Sequence, residues 1–130
     1  MAGPFGAPAA PAFGALQAVA VSVPGPHEGA VVALCASATS AQAGLLERIL
    51  RNAASDPADA RKRRLRLSNP LVADALLASG ALANLLQPFF GWETEGAGEE
   101  TAAVLPEGAC RQHAAAMLEA AGRLKLRSEA

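Results

Sequence analysis

The C-terminal segment carries the clearest structural signal in the chain, an apolar stripe with the period of an α-helix. The residues that form the stripe are Cys110, Ala114, Met117, Leu118, Ala121 and Leu124. Because an α-helix has about 3.6 residues per turn, this spacing places their side chains on one face. The pattern predicts a helix over residues 107–126 that packs its small and aliphatic side chains against a core.

The composition favours a helical protein with an aliphatic core. Hydrophobic residues make up 52% of the 130 residues, alanine is prominent among them, and there are only four Phe, one Trp and no Tyr. A chain of this length forms one domain of ordinary size and buries about two thirds of its unfolded surface. It has no apolar stretch of the roughly 18 residues that a membrane span requires, and its N-terminal region lacks the basic residues of a targeting peptide. We therefore expect a cytoplasmic protein, or a cytoplasmic and nuclear one, with no membrane partner.

The N-terminal region predicts a disordered or weakly ordered tail over residues 1–27. Residues 1–14 are almost wholly Gly, Ala and Pro, with two Phe, and a second break follows at residues 23–26. Gly and Pro at this density disfavour regular structure. His27 lies in this Pro/Gly turn and is expected to be exposed. The folded domain is therefore expected to cover residues 28–130.

Helical patterns also cover residues 28–52 and 70–88. The first pattern is expected to split within residues 37–43, where Ser40 would cap the second piece. Gly80 divides the other pattern, which is expected to end near Pro88. The side chains expected to face the core are Leu45, Leu46, Ile49, Leu50, Leu71, Leu76, Leu77, Leu82, Leu85 and Leu86.

Two short segments predict a β-hairpin before the last helix. Thr101–Leu105 is an apolar run closed by a proline, and Phe90–Thr94 can pair with it through a loop that contains Gly96 and Gly98. Leu65–Leu67 alternates apolar and charged residues and adds a brief strand or extended piece. Together these patterns predict an α+β fold that is mainly helical, a helical bundle with a small antiparallel sheet.

The aromatic cluster at residues 89–92 contains two kinds of position. Phe89 and Phe90 are expected to fill the core beneath the sheet. Trp92 follows a glycine, which allows the backbone to approach another chain, and Trp is a favoured anchor of interfaces. Trp92 is therefore a candidate contact for a partner.

The basic run, defined here as residues 61–66, holds five of the 11 Lys and Arg residues in a chain of net charge -1. It leads into a helix-start signal in which Asn69 can cap and Pro70 fits the first helical position. An acidic partner fits this surface, because guanidinium groups pair well with carboxylates. A nucleic-acid patch, a nuclear localisation signal and a merely solvated face are the alternatives.

The sequence contains no evident catalytic or metal-binding constellation, so no enzymatic activity, metal or cofactor is expected. Cys35 and Cys110 lack metal-ligand spacing and predict two small buried residues in a reducing compartment, with a disulfide between them as the alternative. Cys110 and His113 lie about one helical turn apart, but Cys110 belongs to the apolar stripe. The glutamates between residues 93 and 100 predict a solvated acidic loop rather than an acid/base pair.

An ordered set of short motifs resembles the PUB domain, the module found in peptide:N-glycanase and in several ubiquitin-pathway adaptors. The matching segments are residues 46–52, residues 56–69, Gly80-Ala81, Gly91-Trp92 and Val104-Leu105-Pro106. They occur in the family's order, and the resemblance covers about residues 40–126. It implies a small antiparallel sheet against a helical bundle, as the residue patterns do.

The resemblance also implies a function. PUB domains bind the acidic C-terminal tail of the hexameric AAA ATPase called valosin-containing protein, in ubiquitin and ER-associated degradation pathways. The implied protein is a monomeric, non-catalytic adaptor with no nucleic-acid partner. By position, the peptide-binding residues would be Arg61, Lys62, Arg66, Asn69, Gly91 and Trp92.

Each of these positions has an implied role. Arg66 would pack on the aromatic ring near the end of the tail, and Asn69 would hydrogen-bond the peptide. Arg61 stands where the family has Lys and would meet acidic residues. Lys62 stands where the family has an aromatic residue, and Gly91-Trp92 would form an apolar wall.

Overall fold

The computed structural model describes residues 25–129, so most of the predicted tail, residues 1–24, lies outside the described residues. The described part is mainly helical (70%), with five helices and a small three-stranded antiparallel sheet, which confirms the predicted fold class. The helices are α1 (Glu28–Ser37), α2 (Ser40–Ser55), α3 (Pro70–Ala78), α4 (Leu82–Phe90) and α5 (Glu107–Ser128). The strands are β1 (Arg64–Arg66), β2 (Glu93–Glu95) and β3 (Ala102–Val104).

Helices α2 and α5 form the centre of the core. Leu46 and Leu50 of α2 and Met117 and Leu124 of α5 are completely buried, as the periodic patterns predict. Leu118 is 39% exposed, so its predicted inward position is wrong. It follows Met117 directly and is therefore rotated by about 100° around the helix, out of the contact with α2.

The N-cap of helix α2 lies one residue before the predicted cap. Thr39 is the N-cap: its Oγ1 accepts from the Gln42 N–H at 3.1 Å, and its own N–H donates to Gln42 Oε1 at 2.9 Å. This reciprocal capping box requires a hydroxyl residue three positions before the glutamine. The prediction of Ser40 as the cap is wrong for that reason, because Ser40 stands one position too late.

Helix α4 ends at Phe90, two residues after the proline near which its end was predicted. The helix is π-helical over Leu82–Leu86, and the Gln87 N–H bonds to the Leu82 carbonyl. An α-helical turn, Gln87–Phe90, then follows with the proline in its first turn. Pro88 lies where the π-helical turn changes to an α-helical one, and it has no N–H to donate to the helix.

Helix α3 buries fewer leucines than predicted. It begins as expected, with Asn69 as N-cap and Pro70 in the first turn. Leu76 is buried, but Leu71 is 73% and Leu77 52% exposed, which overturns their predicted inward positions. The second half of α3 is a wide π-helical turn over Asp74–Ala78, so the α-helical spacing used to assign the inner face does not apply there.

Within residues 25–129, no single helix is long and apolar enough to cross a membrane. Only α3 and α4 taken together meet that length and composition, and the pair is bent by 57°.

The sheet has the order β1-β3-β2, and both pairings are antiparallel. The predicted hairpin is present as β2 and β3, and the extended piece near Leu65 adds the third strand. β2 starts at Glu93 rather than at Phe90, because α4 continues through Phe90. Leu65 and Ala103 face each other across β1 and β3; Ala103 belongs to the core and Leu65 packs against it, so this side of the sheet faces the helices.

His27 is buried, not exposed as predicted from its Pro/Gly turn. Its side chain lies against the Phe90 ring, with the ring centres 5.6 Å apart, and its Nε2 is 2.9 Å from Glu119 Oε1 on α5. Only 6% of the residue remains exposed. The contact fixes the start of α1 to the middle of α5.

Replacing His27 with alanine is expected to lower the free energy of unfolding by about 1–2 kcal/mol, through the loss of this hydrogen bond and of the contact with the Phe90 ring. Urea denaturation followed by circular dichroism measures the change. Glu119→Gln is the matched control, because the amide still provides an oxygen for the same bond. An unchanged midpoint in His27→Ala would show that the buried ring contributes nothing to the docking of α1.

Candidate functional site

The segment before β1 is a tight turn that presents cations at the surface. Asp59 caps the short 3-10 turn Ala60–Arg63, and its Oδ1 accepts from the Arg61 N–H at 3.0 Å. This hydrogen bond, with the nearby charges of Arg61 and Lys62, holds the pKa of the Asp59 carboxyl below its usual value. The carboxylate therefore stays charged and keeps the turn closed.

Arg61 and Lys62 stand on the outside of this turn. The Arg61 side chain is 91% exposed, and its Nε lies 3.4 Å from Asp59 Oδ1. The Lys62 Nζ is 3.3 Å from Asp56 Oδ2, and both of these side chains are partly exposed. Exposed ion pairs of this kind contribute little and exchange readily. Both cations are therefore accessible to an acidic partner.

Arg63 differs from the rest of the basic run. Its side chain is only 12% exposed and lies 3.9 Å from Glu107 at the start of α5. One of its terminal nitrogens donates to the Leu105 carbonyl at 2.8 Å. Arg63 therefore ties the beginning of β1 to the end of β3. Sequence reasoning missed this structural role, because the contact joins residues that are 42 positions apart.

The outer face of the sheet is the side turned away from the helices. Because side chains alternate along a strand, residues paired with Ala102 and Val104 share this face. Its charged members are Arg64, Arg66, Glu93 and Glu95. The face is basic along β1, apolar and small along β3, and acidic along β2, and an ion pair joins Arg64 to Glu95 across the middle strand.

Arg66 lies at the end of this face, beside the acidic segment, defined here as residues 93–100. A cleft of about 420 Å³ is lined by Arg64, Arg66, Glu99 and Glu100. Among the described residues, no carboxylate oxygen lies within 4.0 Å, the limit for an ion pair, of an Arg66 side-chain nitrogen. Its guanidinium therefore has unused donors that point to a shared, open cleft.

Asn69 lies next to Arg66 through the turn that follows β1. The Asn69 N–H bonds to the Arg66 carbonyl at 3.3 Å, and Asn69 Oδ1 accepts from the Leu71 N–H at 2.9 Å and more weakly from that of Val72. The cap therefore uses the amide oxygen and fixes the side chain. Its exposed NH₂ group finds no acceptor among the described residues and remains a donor for a ligand.

Gly91 and Trp92 do not form an apolar wall at this surface, which corrects the expectation for them. Gly91 ends α4 in the left-handed conformation, with φ +82°, and a Cβ there would lie 3.0 Å from that of Ala109. The backbone N–H of Trp92 donates to the Leu86 carbonyl at 3.1 Å, and the residue is 2% exposed. Trp92 also precedes Glu93, which lies at the opposite end of the sheet from Arg66.

The structure therefore divides the predicted site residues into two groups. Arg61, Lys62, Arg66 and Asn69 lie on one continuous surface segment, from the 3-10 turn through β1 to the start of α3. Gly91 and Trp92 belong to a helix end and to the core. The residue that sequence reasoning left out is Arg64, whose place on the outer face becomes visible only from the strand register.

The thiols and imidazoles do not form a nucleophilic site. Both cysteines are free, and burial raises the pKa of each thiol. The Cys110 Sγ is 3.1 Å from the Ala53 carbonyl, inside the core. His113 lies against Phe90, with the ring centres 6.3 Å apart. Over residues 25–129, no three His, Cys, Asp or Glu side chains are grouped as a metal site requires.

Comparison with known protein families, with curated proteins and with solved structures finds no match to this chain.

Proposed function

We propose that this domain is a non-catalytic interaction module that binds the acidic C-terminal tail of valosin-containing protein, as an adaptor in ubiquitin and ER-associated degradation pathways. The observation that carries the proposal is the placement of Arg66 and Asn69. These two positions, which the motif resemblance assigns to the peptide, are adjacent and exposed, and each has free donors. The cations of the preceding turn extend the same surface.

The chemistry of this surface suits carboxylates. The Arg66 guanidinium can donate two parallel hydrogen bonds to one carboxylate, and the Asn69 NH₂ group can donate to a peptide carbonyl. Arg61 and Lys62 add a positive potential that attracts further acidic residues. An aromatic side chain of the peptide can lie flat on the Arg66 guanidinium, a contact that does not need Trp92.

An acidic tail peptide with an aromatic residue near its end is expected to bind with micromolar affinity. Burial of one aromatic side chain contributes about 2 kcal/mol, each charge-assisted hydrogen bond about 1.5–3 kcal/mol, and the ordering of a flexible tail offsets part of the sum. Binding should weaken as salt screens the charges. Isothermal titration calorimetry at low and high salt measures both effects.

The matched control peptide carries Gln and Asn in place of Glu and Asp and keeps the aromatic residue. It is expected to bind at least tenfold more weakly, because its amides cannot form charge-assisted bonds. No heat with the acidic peptide at high protein concentration, in a sample whose NMR spectrum shows an intact fold, would refute the proposal.

The alternative of nucleic-acid binding or nuclear targeting by residues 61–66 is less well supported by the geometry. A phosphate backbone along β1 would also pass Glu95, Glu99 and Glu100, which repel it. Fluorescence anisotropy with a labelled oligonucleotide separates the two functions. If the chain binds the oligonucleotide and does not bind the acidic peptide, the alternative is favoured.

A further inference from the structure

The acidic segment lies beside the cations of β1, pairing with Arg64 and sharing a cleft with Arg66. Glu95 pairs with Arg64 across β3, and Glu99 and Glu100 line one cleft together with Arg64 and Arg66. Every residue of the acidic segment is exposed, so these carboxylates are accessible to solvent. The domain thus holds its own glutamates beside the cations that the carboxylates of a ligand would reach.

The backbone of the acidic segment fixes this arrangement. Gly96 has φ +84°, and a Cβ at this position would come within 2.4 Å of the Glu100 carbonyl oxygen. The chain therefore folds back on itself tightly between β2 and the 3-10 turn Gly98–Glu100. Thr101 closes the turn, because its hydroxyl donates to the Gly98 carbonyl at 2.9 Å. The turn directs Glu99 and Glu100 to the side of the sheet where Arg66 lies.

We infer that Glu95, Glu99 and Glu100 act as an internal ligand of β1 and thereby determine which anionic partners the basic strand accepts. The inference rests on the proposed function, because it takes Arg66 as part of the binding surface, and it adds Arg64 to that surface. Binding then exchanges one set of carboxylates for another. The exchange is feasible because exposed ion pairs hold their partners weakly.

Selectivity follows from this exchange. A peptide that concentrates its acidic residues over β1 replaces the internal carboxylates and keeps its own chain away from β2. An extended polyanion, such as a nucleic acid, has negative charge along its whole length and meets the glutamates wherever it lies on the outer face. The acidic segment therefore lowers the affinity for every anion, and it lowers the affinity most for an extended polyanion, which cannot keep its charges away from the glutamates.

The test compares the full chain with the double variant Glu99→Gln and Glu100→Gln. The matched control is Glu47→Gln with Glu129→Gln, which removes the same charge at positions outside the cleft. Each protein is titrated with an acidic peptide that ends in an aromatic residue, by calorimetry, and with a single-stranded oligonucleotide, by anisotropy. The cleft variant is expected to bind the peptide roughly three- to tenfold more tightly at low salt. The affinity of the cleft variant for the oligonucleotide is expected to rise by a larger factor.

At about 1 M salt, where the screening length falls to about 3 Å, the difference between the cleft variant and wild type is expected to disappear. Equal peptide affinities of the cleft variant, the control and wild type at low salt would overturn the inference and leave the proposed function standing. Oligonucleotide binding gained only by the cleft variant, with no peptide binding by any protein, would support the inference and refute the proposed function. Binding of neither probe by any protein would refute both.

Discussion

Replacing Trp92 with alanine is expected to lower the free energy of unfolding by about 3–5 kcal/mol, which is large enough to unfold much of a marginally stable domain. The reason is that the ring is 2% exposed and belongs to the same buried cluster as Leu86 and Phe90. Its removal leaves a cavity in the core. Chemical denaturation followed by far-ultraviolet circular dichroism measures the loss.

Trp92→Phe is the matched control, because it retains an aromatic ring and removes only the indole N–H and part of the area. Among the described residues, this buried N–H has no hydrogen-bond partner, so its removal also removes an unmet desolvation cost. We expect a change of less than about 1.5 kcal/mol. If Trp92→Ala kept its full stability and lost only peptide affinity, the ring would belong to the binding surface after all.

The position of Trp92 shows where sequence reasoning stops. The sequence identified the glycine before it as a conformational break, and that break is real. The sequence did not show in which direction the chain continues after Gly91. That direction depends on the left-handed conformation of Gly91 and on the backbone hydrogen bond from Trp92 to Leu86. A large aromatic residue after a turn has a core position and a surface position available, and the tertiary contacts decide between them.

The fold class could be predicted because it depends on repeated local patterns. The stripe on α5, the cap at Asn69 and the glycine-containing hairpin are each visible within a short stretch of sequence, and the structure contains all three. The wrong predictions concern single residues whose burial depends on a local change of helix type or on a distant contact. A π-helical turn exposes Leu77, and a partner on a distant helix buries His27. Neither cause leaves a signal near the residue in sequence.

The candidate site was predictable as a segment but not as a set of separate roles. From the sequence, the members of the basic run look alike, and only charge and spacing distinguish them. The structure gives Arg63 a carbonyl to bind, pairs Arg64 with Glu95, and leaves Arg66 with an open cleft. These differences come from strand alternation combined with neighbours that are remote in sequence, so they require the sheet register.

Reversing the charge of Arg66 is expected to weaken binding of the acidic peptide by about 30- to 100-fold. Arg66→Glu removes a charge-assisted hydrogen bond, worth about 1.5–3 kcal/mol, and adds repulsion from the peptide carboxylates. The milder Arg66→Gln is expected to lose roughly tenfold, because its amide still donates a neutral hydrogen bond. Calorimetric titration of both variants and wild type, at one salt concentration, gives the comparison.

The matched control for Arg66→Glu is Arg48→Glu, the same charge reversal on the exposed part of α2, in a different cleft from Arg66. A general effect of net charge would weaken both variants equally, since each changes the total by the same amount. If the peptide binds at the β1–α3 turn, only Arg66→Glu lowers the peptide affinity, and the difference in affinity between the two variants shrinks as the salt concentration rises. Equal affinities in the Arg66 and Arg48 variants, with both folds intact by NMR, would mean that the acidic peptide is attracted by overall charge and that Arg66 is an ordinary solvated cation.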